Sequence, residues 1–528
     1  MKGRRDLGLN TPRGVGVPYA SPRSLVIATL LLTLVASCFG ASGKHEGKRS
    51  TDEPTGPSRG SELAQFYGQE LHWRDCGDEF QCAKLTVPLD YEEPGGKTVA
   101  LALIKHPADD PGRRVGPLVV NPGGPGASGV DHVTAAGVMF TKRVLDRFDV
   151  IGFDPRGVGS SSPIECLNDR ETDRYLASDA SPDTPAEVSE YRDSVQTFAK
   201  RCEQRSGTRL LAHVSTEDVA RDMDVLRAAL GQDELDYLGR SYGTFIGATY
   251  ADLFPDQVGR LVLDGAIDPR VGAVELTVAQ GRGFQRATRG FVADCVARPR
   301  CPLGNDVDRG IDRIAQFLDS VDRSPLPTSS GRKLTQSLAA LGVIVAMYDE
   351  QNGWPTLRVA LDRAFEGDGS ALLYLSDIYT DRDQDGHYKS NQNAAIVAIN
   401  CADQQPDVRT PSDVRALLPE FLDASPHFGE FLAWSTLSCA DWPVQPAIKP
   451  HAVHAPGTPP ILVIGTTRDP ATPYAWAEGL AEQLESGVLL TYEGDGHTAY
   501  SRGSVCVDHE VENYLITGTP PQQGTRCR

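Results

Sequence analysis

The chain has 528 residues, 40% of them hydrophobic, and a formal net charge of -19. That length buries a large core, enough for one big domain with an insertion or for two domains. The acidic balance excludes a nucleic-acid backbone as partner, and beyond the N-terminus no apolar run reaches membrane-spanning length, so a soluble body is expected.

In chain order, residues 1–38 read as an export signal. Lys2, Arg4, Arg5, Arg13 and Arg23 precede an apolar run over 25–35 that is short for a transmembrane helix. The run closes on Val35-Ala36-Ser37-Cys38, which resembles the lipobox of bacterial lipoproteins and implies a lipidated Cys38; ordinary secretion with cleavage nearby is the other reading. Arg4-Arg5 fits a twin-arginine signal only loosely. The expected location is the cell envelope, lipid-anchored at the outer face of the cell membrane, or the exterior, with no membrane contact beyond the anchor. Residues 39–66, polar and rich in Gly, Ser, Lys, Pro and Glu, read as a flexible linker.

Cysteine parity agrees with export. Of 11 cysteines, ten remain once Cys38 is set aside, enough for five disulfides. Sequence proximity suggests Cys76–Cys82, Cys166–Cys202, Cys295–Cys301, Cys401–Cys439 and Cys506–Cys527. No C-x-x-C pair or His cluster has zinc spacing, so neither a metal nor another cofactor is expected.

Order is expected from about Leu71. Strands over 83–91 and 98–105, separated by the turn Pro94-Gly95-Gly96, read as an antiparallel pair. A buried strand over 117–120 runs into Asn121-Pro122-Gly123-Gly124-Pro125-Gly126-Ala127-Ser128-Gly129, a loop whose glycines let backbone amides approach a ligand as an oxyanion hole requires. A phosphate loop is the alternative, but its lysine is missing. The strand over 148–153 ends in Asp154-Pro155-Arg156-Gly157, where the two charges are expected to pair and brace the turn. Residues 162–202 read as an acidic, loop-rich cover for the site. A helix over 217–230, with apolar spacing at Val219, Met223, Leu226 and Leu230, then delivers the chain to the next strand.

That strand, over 235–238, meets Gly239-Arg240-Ser241-Tyr242-Gly243 and an apolar helix running to Phe254. A sharp strand-to-helix turn needs glycine on both sides of its apex, and it lifts the serine hydroxyl clear of the sheet at a helix N-terminus. A strand over 258–263 ends at Asp264. The next clear buried strand is 460–464, and the roughly two hundred residues between, with helical patterns at 283–295, 310–321, 334–348 and 356–365, read as a helical cap. After 460–464 come Asp469-Pro470-Ala471-Thr472-Pro473, a helix over 474–484, a strand over 487–492, the loop Gly494-Asp495-Gly496-His497-Thr498, and a closing helix over 506–515.

Strands alternating with helices indicate a mostly parallel sheet with ligands at the strands' carboxyl ends. Ser241, Asp469 and His497 each follow such an end, in the Ser-Asp-His order of an α/β-hydrolase. A serine hydroxyl needs a base within reach; His497 supplies it, and Asp469 orients the imidazole, with Thr472 holding Asp469. Asp264 is the competing acid. Tyr242 N–H and Gly124 N–H are expected to form the oxyanion hole, with Gly123 as the alternative donor. The expected organisation is a core over 67–270, a cap and return to the core over 271–455, and a second core part over 456–528.

The motifs Asn121 to Gly126, Gly152-Phe153-Asp154-Pro155-Arg156-Gly157, Gly239 to Thr244 and Asp469 to Pro473 resemble the secreted tripeptidyl aminopeptidases of actinobacteria, closest to the mycobacterial cell-envelope serine hydrolases of the carboxylesterase A type. The resemblance runs from about Trp73 to Cys527. It implies an α/β-hydrolase fold and a peptidase working through an acyl-enzyme on a peptide or protein substrate, with a carboxylesterase as the alternative. Arg240 departs from the family, where tyrosine is common, and bears on substrate preference. An aminopeptidase must recognise a free ammonium; Asp349, Glu350 and Asp403 are the candidate carboxylates.

Overall fold

The computed structural model describes residues 61–528 except Asp78, Gln405 and Pro406. The export signal, Cys38 and the linker as far as residue 60 lie outside the described residues.

The sheet's centre is built from short, largely apolar and almost wholly buried strands, as a sheet covered on both faces requires. These are β4 (Gly116–Asn121), β5 (Phe148–Phe153), β6 (Leu235–Arg240), β7 (Val258–Asp264) and β10 (Ile461–Arg468). Preceding them are β1 (Arg74–Gly77), β2 (Phe80–Pro88) and β3 (Thr98–His106); after them come β11 (Gly487–Asp495) and β12 (Arg526–Cys527). The ten strands lie in the order β1-β2-β3-β5-β4-β6-β7-β10-β11-β12. β1, β2, β3 and β5 pair antiparallel in succession, and every pairing from β5 to β12 is parallel. The order turns back between β4 and β6, where the register sets Asn121 beside Gly239. A doubly wound sheet opens its ligand crevice at that reversal.

Alternate residues serve opposite layers. Val119, Ile151, Phe153, Ile461 and Val463 join one core cluster with the helices Thr216–Ala229, Tyr242–Leu253 and Tyr474–Gln483. Leu118, Val120, Val150, Leu462 and Ile464 join the other, under the helix Val505–Thr517. Each such side chain, fully buried, contributes about 1.5–3 kcal/mol.

The chain between β7 and β10 is helical apart from the small pair β8 (Leu326–Pro327) and β9 (Lys333–Leu334). It has a core of its own, from Phe284 to Leu375. The helix Gln392–Asp403 behaves differently: Ala395, Ala398, Ile399, Cys401 and Ala402 pack into the main core, so the return to the body starts well before residue 455.

Other readings needed correction. Residues 162–202 are largely helical, as Asp169–Leu176 and Pro185–Ser206. Capping boxes at Asn168/Glu171 and Thr184/Glu187 start both helices, and the polar composition of the segment hid them. The end of the expected linker is structured: the helix Ala64–Tyr67 buries Phe66 against the main core. Arg156 does not pair with Asp154: its buried guanidinium takes Asp222 and the carbonyls of Pro88, Leu89 and His213. The five disulfides are the pairs that proximity suggests.

Candidate active site

β6 turns into the helix Tyr242–Leu253 through Ser241, whose backbone has φ 55° and ψ -124°. A non-glycine residue is strained there and persists only where its surroundings hold it. Ser241 N–H donates to Asp264 O at 2.9 Å, and Ser241 O accepts from the amide and hydroxyl of Thr244 at 2.8 and 2.6 Å. Both flanking glycines are required by space. A Cβ on Gly239 would lie 2.4 Å from Gly243 O, and one on Gly243 would lie 2.9 Å from Asn121 O.

Asp469 lies in the loop after β10 and is fully buried. Its Oδ1 accepts from Ala471 N–H and Thr472 N–H at 2.9 and 2.8 Å, and its Oδ2 accepts from Thr498 N–H at 3.1 Å. Both oxygens face His497 Nδ1, at 2.9 and 3.0 Å. The Thr472 hydroxyl lies 3.3 Å from the same nitrogen. With Nδ1 so occupied, Nε2 is the nitrogen left for proton transfer. Ser241 and His497 converge on one short stretch of backbone: Ser241 N–H meets Asp264 O, and the Cβ position of Gly265 lies 3.5 Å from His497 Cε1.

Asp264 has another task. Its buried carboxylate accepts from Ala499 N–H and Tyr500 N–H at 2.9 and 3.0 Å, fastening the backbone beyond His497 rather than the ring. Burial pushes its pKa up, with Arg240 opposing.

The loop after β4 lies against the nucleophile, since a Cβ on Gly123 would come within 3.0 Å of both Ser241 Cβ and Tyr242 N. Gly123 N–H donates to Asn121 Oδ1 at 2.8 Å, which takes it out of use as an oxyanion donor. Gly124, at φ 109°, and Tyr242, the first helical residue and so without a helical acceptor, keep their amides available. Asp154 steadies the far end of the loop by accepting from Ser128 Oγ at 2.6 Å and Val130 N–H at 3.1 Å.

Three of the residues expected to meet substrate are committed elsewhere. Arg240 is buried between the rings of Phe140 and Tyr500 and donates to Met139 O and Tyr500 O at 2.9 and 3.3 Å. It braces the histidine loop, which explains why an adjacent position in the motif need not face the site. Asp349 accepts from Gln351 N–H, Asn352 N–H and Asn352 Nδ2 at 2.8–3.1 Å, organising the start of the helix Gly353–Phe365. Asp403 is 3% exposed and bonded twice to Thr216. Glu350 differs from these: it is half-buried, takes an N–H from Asp495, has no cation within salt-bridge distance among the described residues, and is pushed up by burial and then by Asp495, with Arg468 opposing from farther off.

Sequence reasoning missed Tyr348. Its ring stands edge-on to His497, with centroids 5.1 Å apart, and its carbonyl accepts from His497 N–H at 3.0 Å. The cap thus holds the imidazole from above. From the other side the helix Ala273–Val296 abuts the acid loop, where a Cβ on Gly283 would lie 2.3 Å from Pro470 O. Nothing short of tertiary contact signals either role.

A buried carboxylate holding one imidazole nitrogen and a strained serine at a helix N-terminus, with a glycine-rich loop against it, are parts that nucleophilic acyl transfer requires. Comparison with known proteins agrees. Residues 116–355 match the alpha/beta hydrolase fold family, and residues 425–527 match the family described as TAP-like protein. The chain is 41% identical over 483 residues to serine protease Hip1 of Mycobacterium tuberculosis, covering 87% of this chain and 91% of that protein. Carboxylesterase B of Mycobacterium tuberculosis is 41% identical over 461 residues, covering 85% and 86%. The tripeptidyl aminopeptidase of Streptomyces lividans is 30% identical over 531 residues, covering 96% of each.

Proposed function

This chain belongs to the α/β-hydrolase family that includes serine protease Hip1 and the tripeptidyl aminopeptidases, and from that membership we propose a peptidase that releases short peptides through an acyl-enzyme on Ser241. The observation that carries the chemistry is the contact of both Asp469 oxygens with His497 Nδ1, beside a serine held at φ 55°. In the reaction, Ser241 Oγ attacks the scissile carbonyl carbon while His497 Nε2 takes its proton. The oxygen gains the negative charge and is held by Tyr242 N–H and Gly124 N–H. Collapse expels the amine, which leaves with the proton from His497. Water then attacks the acyl-enzyme, giving a proton to His497, and Ser241 leaves with that proton. Asp469 stays ionised throughout and stabilises the imidazolium.

Release from a free N-terminus needs a carboxylate for the substrate ammonium. Glu350 suits that role: it follows Tyr348, the residue against His497, by two positions, and it forms no close ion pair among the described residues, Arg468 acting on it only from a distance. A substrate ammonium would supply one. A carboxylesterase is the second reading, favoured by the 41% identity to carboxylesterase B. The deciding measurement is kcat/KM on one tripeptide anilide, free and N-acetylated, beside a short-chain nitrophenyl ester. Strong preference for the free amine, falling at least tenfold in Glu350→Gln, supports the aminopeptidase. Equal rates on both anilides remove the ammonium anchor, and turnover of the ester alone supports the esterase.

The proposed location is the cell envelope, with residues 1–38 as signal and Cys38 as lipid acceptor. Among the described residues no helix is long and apolar enough to cross a membrane. Cys38→Ser should release active enzyme from the membrane fraction; unchanged membrane retention would argue against the anchor.

A further inference from the structure

Asp403 has a place in the fold that substrate binding does not explain. It ends the helix Gln392–Asp403, two residues beyond Cys401, which is tied to Cys439. Its carboxylate sits at the N-terminus of the helix Thr216–Ala229, with Oδ1 accepting from Thr216 N–H at 2.7 Å and Oδ2 meeting Thr216 Oγ1 at 2.7 Å. Thr216 Oγ1 in turn lies 2.5 Å from the Tyr242 hydroxyl. Asp403, Thr216 and Tyr242 are all buried. Near its other end, the same helix presses on the oxyanion loop: a Cβ on Gly126 would lie 2.8 Å from Ala395 Cβ. Asn391, just before the helix, accepts from Gly159 N–H and donates to Gly157 O. One helix therefore bears on both halves of the oxyanion hole.

The hydrogen bonds can run in two directions. With Asp403 ionised, Tyr242 O–H donates to Thr216 Oγ1, Thr216 O–H donates to Asp403 Oδ2, and every proton has an acceptor. With Asp403 protonated, the acid donates to Thr216 and Thr216 donates to Tyr242, whose own proton then finds no acceptor within the chain of three. An unmet buried donor is costly and favours displacement of its ring. We propose that Asp403 is a positioning residue for the oxyanion hole, holding the Tyr242 ring, and so the Tyr242 N–H, through Thr216, and doing so fully only when ionised. The proposal rests on the reading of Ser241 as nucleophile and Tyr242 N–H as donor.

Burial, first, and then the charges of Asp218 and Glu217 push Asp403 up to about 7, against the bonds from Thr216. Asp218 is partly offset by Arg156, 3.7 Å away. Arg209, on the adjoining helix Thr208–Leu211, is engaged with Glu93 at 3.3 Å. The Thr436–Cys439 turn, also packed on the helix, carries no titrating group, since Cys439 is disulfide-bonded. Because the raised carboxyl prefers its neutral form in the fold, the contribution of Asp403 to stability falls as pH rises from about 4 to 7.

The test uses Asp403→Asn, whose amide donates to Thr216 at every pH and so imitates the protonated chain. The ratio of wild-type to variant kcat cancels pH effects common to both enzymes. It should be about 10 at pH 8.5, a fraction of the loss seen when an oxyanion donor is removed, and fall to about 1 at pH 5.5, with little change in KM. In a Tyr242→Phe background, which keeps the backbone N–H, Asp403→Asn should change kcat equally at both pH values. A wild-type to variant ratio that is constant across pH, or equal to 1 throughout, overturns the proposal. Should Asp403→Asn fail to fold, the ratio of wild type to Tyr242→Phe carries the same inflection near 7, and its absence is equally fatal. Fluorophosphonate labelling of Ser241 in each variant separates this failure from failure of the nucleophile assignment.

Discussion

Exchanging each of the two buried acids for its amide distinguishes their roles, and the hydrogen bonds set the magnitudes. In Asp469→Asn the new NH2 cannot replace Oδ1, which accepts two backbone N–H groups, so it must take the Oδ2 position. There it faces Thr498 N–H and His497 Nδ1. The imidazole then accepts at Nδ1 and carries its proton on Nε2, the tautomer that cannot act as base. Loss of kcat should be about 10⁴-fold, the size seen for the equivalent change in trypsin-like enzymes, or about 5 kcal/mol in the barrier. Asp264→Asn instead weakens the bonds to Ala499 and Tyr500, which should lower stability by about 1–3 kcal/mol and kcat by less than about tenfold, because the ring keeps its partner. The assay is kcat on a chromogenic tripeptide anilide together with urea unfolding of each variant. A loss of about 10³-fold or more in Asp264→Asn, with Asp469→Asn within tenfold of wild type, would refute the assignment of the acid.

Other outcomes follow from packing and covalent structure. Gly283→Ala, which forces a methyl to within 2.3 Å of Pro470 O, should lower stability by about 1–3 kcal/mol and reduce kcat more than it raises KM; wild-type kcat would show that the helix contact does not position Asp469. Non-reducing peptide mapping should recover the five observed disulfide pairs, and a free thiol among those ten cysteines would contradict the framework. Replacing both Cys166 and Cys202 by Ser, opening a separation of 36 residues, should cost about 4 kcal/mol of stability on the chain-entropy account; no change in unfolding midpoint would count against that.

The parts of the site visible in the sequence are those whose chemistry is local. Gly239 and Gly243 announce a turn that only glycine permits, Asn121 to Gly129 announces a backbone-lined loop, and Ser241, Asp469 and His497 each come just past a strand that the sequence marks. Where local chemistry is ambiguous, the sequence was silent. Asp264 and Asp469 both follow strands, and only the direction of their hydrogen bonds separates them. Asp349, Glu350 and Asp403 are equal as letters; Asp349 organises a helix start, Asp403 closes a buried chain of hydroxyls, and Glu350 is left with a backbone N–H from Asp495. Tyr348 has no motif because its role is a contact across some 150 residues. The helices within 162–202 were overlooked for another reason: capping boxes, not apolar periodicity, start them.

The central claim is a covalent intermediate on Ser241. Reaction of the wild-type enzyme with a fluorophosphonate, followed by proteolysis and mass analysis, should place one phosphonyl group on the peptide containing Gly239-Arg240-Ser241-Tyr242-Gly243, with stoichiometric loss of activity. Ser241→Ala should take up no label and lose turnover by about 10⁶-fold while unfolding as wild type does. Label on a different serine, or an Ser241→Ala enzyme that retains appreciable turnover, would contradict it.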